Sequence, residues 1–217
     1  MRKAIAVTLL MVILSSASVA LAGEKKPAFY VGGGLSMPMS PQLLSDNWKT
    51  GFSGTGRVGF ALSPALELGA SVGFNSFPMD NAKLVAMFEE ELGEPIPSGV
   101  TVDGFGFKTL EFLADIKYVF GATAEAKPFS PYMLVAFGMT KSSFGDITVS
   151  GGGLSVSVPV PGSTTDLTMG FGAGFQYMFS PKVGFWVDGK YMMIMTEGES
   201  TAHLPIRAGL KFMVGGN

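Results

Sequence analysis

Bulky apolar side chains recur at every second position through most of this chain, and this alternation constrains the fold more than any other feature. In the first such segment Phe29, Val31, Leu35 and Met37 alternate with Tyr30, glycines and Ser36. Strict alternation indicates β-strands whose two faces differ. We predict eight strands from segments with this pattern: 29–37, 52–62, 66–74, 110–120, 133–139, 167–179, 185–193 and 206–214.

The connections between these strands differ in length. Ser63-Pro64-Ala65 and Ser180-Pro181-Lys182 form tight turns, and residues 121–130 are intermediate. The other connections are longer: 38–50, 76–106, 141–164 and 196–203. An even number of strands with short turns at one end and long loops at the other is typical of an antiparallel up-and-down barrel in an outer membrane. The predicted fold class is therefore an all-β, eight-stranded transmembrane β-barrel.

Two long loops carry patterns of their own. From Asn81 to Leu92 the apolar residues have helical spacing beside three consecutive glutamates, which predicts a short surface helix. A charge run of this kind is usually a solvated helix face rather than a cation site. Residues 147–160 alternate around three glycines at 151–153, which predicts a hairpin beyond the membrane.

Charge placement decides which face of the strands meets lipid. On the bulky faces the only charged residues are Lys108 and Lys141, both at the long-loop end, where a lysine costs only about 0–1 kcal/mol. The opposite faces combine small residues with nine charges, which suits a narrow lumen. These charges are Arg57, Glu67, Glu111, Asp115, Lys117, Asp188, Lys190, Arg207 and Lys211. A secreted soluble barrel, the alternative, would place the large apolar residues inside.

Composition excludes several classes of protein. The chain has 217 residues, of which 47% are hydrophobic and 15% charged, so it has ample apolar surface to fold. A net charge of -2 argues against a nucleic-acid partner. With no cysteine and one histidine, we expect neither a disulfide framework, nor a transition-metal site, nor any cofactor. The glycines at 32–34 and 170–174 lie within strands, so they do not predict phosphate loops.

The N-terminus has the features of a secretory signal peptide. Arg2 and Lys3 precede an apolar run over residues 4–14, and small residues follow up to Ala22. Eleven apolar residues are too few for a spanning helix, which needs about 20. We expect cleavage after residue 22, leaving residues 23–217 as one barrel domain.

At this point the chain resembles the small eight-stranded outer-membrane proteins, typified by the transmembrane domain of outer-membrane protein A and by opacity-type porin-family proteins. The motifs that carry the resemblance are 29–34 (Phe-Tyr-Val-Gly-Gly-Gly), the two Ser-Pro turns, Pro131-Tyr132, residues 171–175 and residues 207–212. The resemblance implies a bacterial outer-membrane location, contact with lipid and lipopolysaccharide, and folding by the barrel-assembly machinery. Such proteins usually end on an aromatic residue, whereas here Phe212 precedes five more residues. No peptidoglycan-binding domain is expected after Asn217.

The lumen charges carry the main functional hypothesis. Five cations and four anions nearly cancel, and buried charges must be paired because desolvation costs several kcal/mol per ion. We predict an ion-pair network, with Arg57, Asp115, Asp188, Lys190 and Arg207 at similar heights. It would act as a structural plug or, alternatively, as a gate along a narrow ion pathway.

His203 raises the question of enzymatic function. It is predicted in the last long loop beside Ser200 and Thr201, with Glu199 as the only nearby acid. Some barrels of this size are lipid A-modifying enzymes, but no nucleophile–base arrangement is evident, so we interpret His203 as a loop residue without a catalytic role. We predict a non-enzymatic structural or interaction barrel, with loops 76–106 and 141–164 contacting surface partners. A narrow channel and a lipid A-modifying enzyme are the alternatives.

Overall fold

The structure, a computed structural model, describes residues 27–121, 128–196 and 198–214, and eight of its strands close into an antiparallel barrel. The predicted signal peptide, residues 1–22, lies outside the described residues, as do residues 215–217 of the C-terminal extension. The strands, in chain order, are β1 (Pro27–Ser40), β2 (Gly51–Ala61), β3 (Leu66–Phe77), β4 (Thr101–Gly104), β5 (Phe107–Val119), β6 (Phe129–Phe144), β7 (Ile147–Gly151), β8 (Leu154–Val158), β9 (Ser163–Met178), β10 (Val183–Met195) and β11 (Thr201–Met213). The helices are α1 (Gln42–Asn47) and α2 (Asn81–Leu92).

Around the barrel the order is β1-β11-β10-β9-β6-β5-β3-β2, so each strand pairs with its neighbour in the up-and-down sequence and β1 closes against β11. The prediction of an eight-stranded barrel is confirmed. Neither helix among the described residues is long and apolar enough to cross a bilayer.

The two Ser-Pro turns use the same local chemistry. At the first, the amide of Leu66 donates to Ser63 Oγ at 3.1 Å, and at the second the amide of Val183 donates to Ser180 Oγ at 3.1 Å. A serine hydroxyl thus satisfies a backbone donor that the tight turn leaves without a strand partner. Both turns lie at the end of the barrel that holds the start of β1 and the end of β11, which we call the turn end.

The bulky faces of the strands point outward. Phe112 is 54% exposed and Phe171 is 61% exposed, whereas the charged side chains of Asp115 and Arg207 are buried. This polarity is the reverse of a soluble protein, because in an outer-membrane barrel an apolar band faces lipid while the interior is polar.

At the other end, the loop end, three loops fold together into what we call the cap, residues 41–50, 78–106 and 145–162. It contains α1, α2 and a sheet in the order β4-β7-β8. The predicted helix 81–92 and the hairpin around residues 151–153 are confirmed. Helix α1 and strand β4 were not predicted, since each has at most six residues and no clear periodicity.

Local signals fix the ends of α2. Asp80 at the N-cap accepts a hydrogen bond from the amide of Ala82 at 3.0 Å, and Gly93 ends the helix with a φ of 74°. Glycine adopts this left-handed conformation without the steric penalty that a Cβ brings. Buried side chains from loops 41–50 and 78–106 and from the barrel rim then share one apolar core, against which the partly buried Ile147 and Val149 of the third loop pack: Leu44, Trp48, Phe77, Met79, Leu84, Val102 and Phe107.

Candidate functional site: the charged lumen and its closures

The nine predicted lumen charges all lie on inward faces of barrel strands, but they form separate groups at different heights. The group nearest the turn end, here the turn-end cluster, contains Tyr30, Arg57, Glu67, Asp115, Lys117, Gln176 and Lys211. The group nearest the cap, here the loop-end cluster, contains Ser53, Asn75, Glu111, His203 and Arg207. Asp188 and Lys190 lie apart from both. Asp188 and Arg207 are direct register partners and Arg57 contacts Asp115, but the ion pairs divide the charges, because Arg207 contacts Glu111 rather than Asp115.

Arg57 is at the centre of the turn-end cluster. Its Nε donates to Asp115 Oδ1 at 2.8 Å, and its Nη1 is paired with Glu67. Lys117 Nζ lies 3.2 Å from Glu67 Oε1 and donates to Tyr30 Oη at 2.5 Å. Tyr30 in turn donates to Glu67 Oε2 at 2.8 Å. One tyrosine hydroxyl thus links a lysine to a carboxylate across the lumen, and Arg57, Glu67, Asp115 and Lys117 each have a charged partner.

Aromatic faces add to this pairing. Lys117 Nζ lies 4.3 Å from the centre of the Tyr30 ring, and the guanidinium of Arg57 lies 4.8 Å from the same ring. A ring face attracts cations, more strongly when both are desolvated. Lys211 forms no salt bridge with a described carboxylate; its Nζ donates to Gln176 Oε1 at 3.1 Å and lies 5.3 Å from the Tyr30 ring.

The loop-end cluster surrounds a single carboxylate, Glu111, which is fully buried. His203 Nε2 lies 2.8 Å from Glu111 Oε1, and Asn75 Nδ2 donates to the same oxygen at 2.8 Å. Arg207 donates from Nη2 to Glu111 Oε2 at 3.4 Å and from Nε to Ser53 Oγ at 2.6 Å. The charged groups of this cluster are therefore held largely by hydrogen bonds to amide and hydroxyl groups, whereas those of the turn-end cluster are held mainly by ion pairs.

His203 is the main error of the sequence interpretation. The structure places it on β11, inside the lumen, with no exposed surface, instead of in a loop covering residues 196–203. Its ring stands edge-on to Phe77 at 5.6 Å, and its Nε2 donates to Glu111 Oε1, with Asn75 Nδ2 3.4 Å away. Strand β11 extends back to Thr201, but its alternation breaks at Ala202 and His203, which are both buried beside an irregularity in the pairing with β1, so the pattern did not reveal it.

Asp188 and Lys190 form the loosest pair. Lys190 Nζ lies 3.7 Å from Asp188 Oδ2, and Tyr132 Oη reaches the same oxygen at 3.5 Å. Asp188 Oδ1 has no hydrogen-bond partner within the described part of the chain. These residues line a cavity of about 20 Å³ together with Arg57 and Lys117. A space of this size holds about one water molecule.

The lumen also contains apolar residues that the sequence interpretation missed. Trp186 and Ile194, which blurred the alternation of β10, point inward and are buried. Leu113, Leu134 and Met192 are also inside, in a patch on β5, β6 and β10. These residues occupy the same alternating positions as the charges, so the period of two could have assigned them to the lumen. They were missed because the inward and outward faces of these strands differ little in side-chain size.

Glycines on the inward faces leave the space that the charges fill. A Cβ on Gly69 would lie 2.4 Å from Arg57 Nη2, and one on Gly73 would lie 2.5 Å from Glu111 Oε2. Real contacts of this kind are longer than 3.0 Å, so neither position can carry a side chain without displacing a charged group. The small residues of the lumen are therefore part of both charged clusters.

Aromatic side chains cover the loop end of the lumen and fill part of its turn end. Phe77 stacks on Phe107 at 5.8 Å above His203, and Phe107 contacts Phe144 at 5.5 Å. Toward the turn end, Trp186 packs edge-on against Tyr30 at 6.4 Å and donates from Nε1 to the carbonyl of Leu210 at 3.1 Å. The charged lumen thus lies beneath an aromatic layer at the loop end, and at the turn end Trp186 packs within the turn-end cluster, in register with Gln176.

Comparison with known proteins agrees with this architecture. The sequence model described as "Outer membrane protein beta-barrel domain" matches residues 7–212. The chain belongs to this family. The protein is accordingly a β-barrel of the bacterial outer membrane, and its long loops lie on the side opposite the short periplasmic turns. No curated protein matches the sequence significantly.

Two solved structures illustrate the shared fold. Neisserial surface protein A is 17% identical with a TM-score of 0.51, covering 86% of this chain and 96% of its own. The outer membrane protein OprG from Pseudomonas aeruginosa is 11% identical with a TM-score of 0.51, covering 89% of this chain and 99% of its own. At these identities the likeness shows the fold alone.

Proposed function

We propose that this outer membrane barrel is a closed scaffold that presents an ordered cap to partners outside the cell. The observation that carries the proposal is the lumen itself, which is filled by charged, aromatic and apolar side chains and covered at the loop end by an aromatic layer. An interior of eight strands is only wide enough for side chains to fill, so the charged clusters act as a plug and not as the lining of a pore.

The plug is expected to be stable because most of its charges are paired and hydrogen-bonded. Breaking a buried pair by removing one partner costs about 3–5 kcal/mol, so a transient opening that separates Arg57 from Glu67 and Asp115 is strongly disfavoured. The free space beside Asp188 and Lys190 amounts to about 20 Å³, enough for one water molecule but not for a hydrated ion pathway.

The cap supplies the surface for contacts. Loops 76–106 and 141–164 do not extend separately into solvent, since α2 and the β4-β7-β8 sheet pack on one apolar core with the barrel rim. Outside that core, β8 exposes Leu154, Val156 and Val158, and a loop surface on a rigid scaffold is a common place for recognition.

Two measurements test the proposal. In planar lipid bilayers the purified protein should give no stable conductance, and long-lived large steps would contradict the plug.

Cells carrying the protein should adhere to a surface or to other cells, and replacing residues 147–158 by a flexible Gly-Ser linker should abolish this adhesion. A variant that replaces Lys182 in the periplasmic turn is the control. Unchanged adhesion of the linker variant would contradict the role of the cap.

A narrow channel is the second candidate, favoured by the charged cavity next to the loosely held Asp188–Lys190 pair. Small cation-selective currents that disappear in Asp188→Asn would support it over the closed scaffold.

A lipid A-modifying enzyme is the third candidate. His203, the residue that suggested this activity, points into the lumen and has no exposed surface on which a lipid could bind. Mass spectrometry of lipid A with and without expression tests it directly.

A further inference from the structure

Two lysines interrupt an otherwise uncharged lipid-facing wall. In the described ranges 27–121, 128–196 and 198–214, Lys108 on β5 and Lys141 on β6 are the only charged residues on the outward faces of the barrel strands. Both are exposed, and neither forms an ion pair in that part of the chain.

The two lysines are diagonal neighbours. Lys108 pairs with Ser143 in the register, and Leu110 pairs with Lys141, so the lysines are one pleat apart on adjacent strands. Diagonal neighbours on one face are within reach of each other's long side chains, and like charges so placed repel. An anion between the two ammonium groups would remove that repulsion.

The surroundings change from a polar row at Lys108, through a mixed row at Lys141, to an apolar row. Ser76 and Ser163 flank the lysines at the level of Lys108 and Ser143, and Thr165 lies beside Lys141. Toward the turn end the next residues on the same wall are apolar: Phe74, Leu110, Val72, Phe112, Met139 and Leu167. The boundary between the rows marks the level at which acyl chains give way to headgroups.

We propose that Lys108 and Lys141, with the hydroxyls beside them, bind a phosphate group of lipopolysaccharide in the outer leaflet. The ammonium groups neutralise the phosphate, the hydroxyls of Ser143 and Thr165 donate hydrogen bonds, and the acyl chains lie on the apolar rows below. The site is on the barrel wall and is independent of the partner that the cap contacts, so either proposal can fail without the other.

Binding of lipid A to the purified full-length protein in detergent micelles tests the site. Bound lipid raises the unfolding temperature by mass action, which gives the affinity. Each lysine near an anionic lipid surface contributes about 1 kcal/mol, so K108Q/K141Q should bind diphosphorylated lipid A roughly 30-fold more weakly than the wild type. Lys182→Gln, a periplasmic exposed lysine, is the matched control and should bind as the wild type does.

Three further arms make the outcome decisive. Dephosphorylated lipid A should stabilise the wild type and K108Q/K141Q equally, and inorganic phosphate should stabilise neither. K108R/K141R should retain most of the affinity, which separates loss of charge from loss of folding. Equal affinity of the wild type and K108Q/K141Q for diphosphorylated lipid A, or equal binding of the phosphorylated and dephosphorylated lipids by the wild type, would overturn the proposal.

Discussion

The barrel and the cap are built from the same chain with opposite polarity. The barrel buries the side chains of Arg57, Glu111 and Lys117 and exposes phenylalanines, whereas the cap buries Leu84 and Trp48 and exposes Glu90 and Glu91 of α2. The difference follows from the medium outside each part. An apolar side chain that faces lipid gains no hydrophobic free energy by moving into the barrel, so the barrel interior is held by ion pairs and hydrogen bonds. The cap is surrounded by water, so the hydrophobic effect stabilises its apolar core.

The comparison predicts that removing a charge is most damaging inside the barrel. Glu111→Ala should destabilise the protein by about 3–5 kcal/mol, because Arg207 and His203 then lose their only shared carboxylate. Urea unfolding in lipid vesicles measures this effect. Glu90→Ala on the exposed face of α2 is the control and should stay within about 0.5 kcal/mol of the wild type. A loss below 1 kcal/mol for Glu111→Ala would mean that the loop-end cluster does not hold the barrel.

In the cap, the damaging change should be the loss of an apolar side chain. Leu84→Ala on α2 should destabilise the cap by about 2–5 kcal/mol through the cavity it leaves. Because the cap and the barrel rest on different forces, we expect faster hydrogen exchange in residues 81–104 with little change in the barrel strands. Met87→Ala on the exposed side of α2 is the control. Equal acceleration in the barrel strands would show that the two parts unfold together.

Packing inside the barrel can be tested at glycines. Gly69→Ala should cost about 1–3 kcal/mol, since its methyl group would displace the guanidinium of Arg57 from its carboxylates. Gly56→Ala lies on the outward face of β2, where a Cβ meets no atom within 4 Å, and should be tolerated. The difference between the two alanine variants in urea unfolding reports the lumen contact alone. Equal stability would contradict the tight fit.

The smallest effect concerns a surface charge of the cap. The amide of Ala82 and, second, the side chain of Lys49 lower the pKa of Asp80 below its usual value of 3.8. A lowered pKa means that the ionised form stabilises the folded cap above pH 3.8, and that this contribution is lost as the pH falls through the lower folded value. Asp80→Asn should therefore make loop 78–106 slightly more sensitive to protease at pH 6, and the difference should vanish at low pH. A difference that persists at pH 2 would contradict this linkage.

The sequence predicted the barrel well because each strand repeats one simple rule. Alternation gave the eight strands, and the position of Lys108 and Lys141 at the loop end indicated which face meets lipid. The lumen charges were all assigned to the correct face. Their partners could not be assigned, because the pairing of Arg207 with Glu111 depends on the stagger between strands that are far apart in the chain.

The cap was only partly predictable for a similar reason. Helix α2 has apolar residues at helical spacing, an Asp N-cap and a C-terminal glycine, so a helix over residues 81–92 could be predicted from the local sequence alone. Strand β4 has four residues and exists because β7 pairs with it, as Val102 does with Val149. His203 was misplaced because the apolar-against-small contrast fades where β11 enters the loop-end cluster.

The central claim, that bulky side chains face lipid while the lumen is shielded, can be tested with tryptophan fluorescence and brominated phospholipids. The chain has two tryptophans, Trp48 in the cap core and Trp186 in the lumen, and both are buried. The wild type should therefore be quenched only weakly by lipids brominated near the bilayer centre, whereas Phe171→Trp should add a strongly quenched emission. Strong quenching of the wild type with no further quenching in Phe171→Trp would contradict the assignment of the two faces.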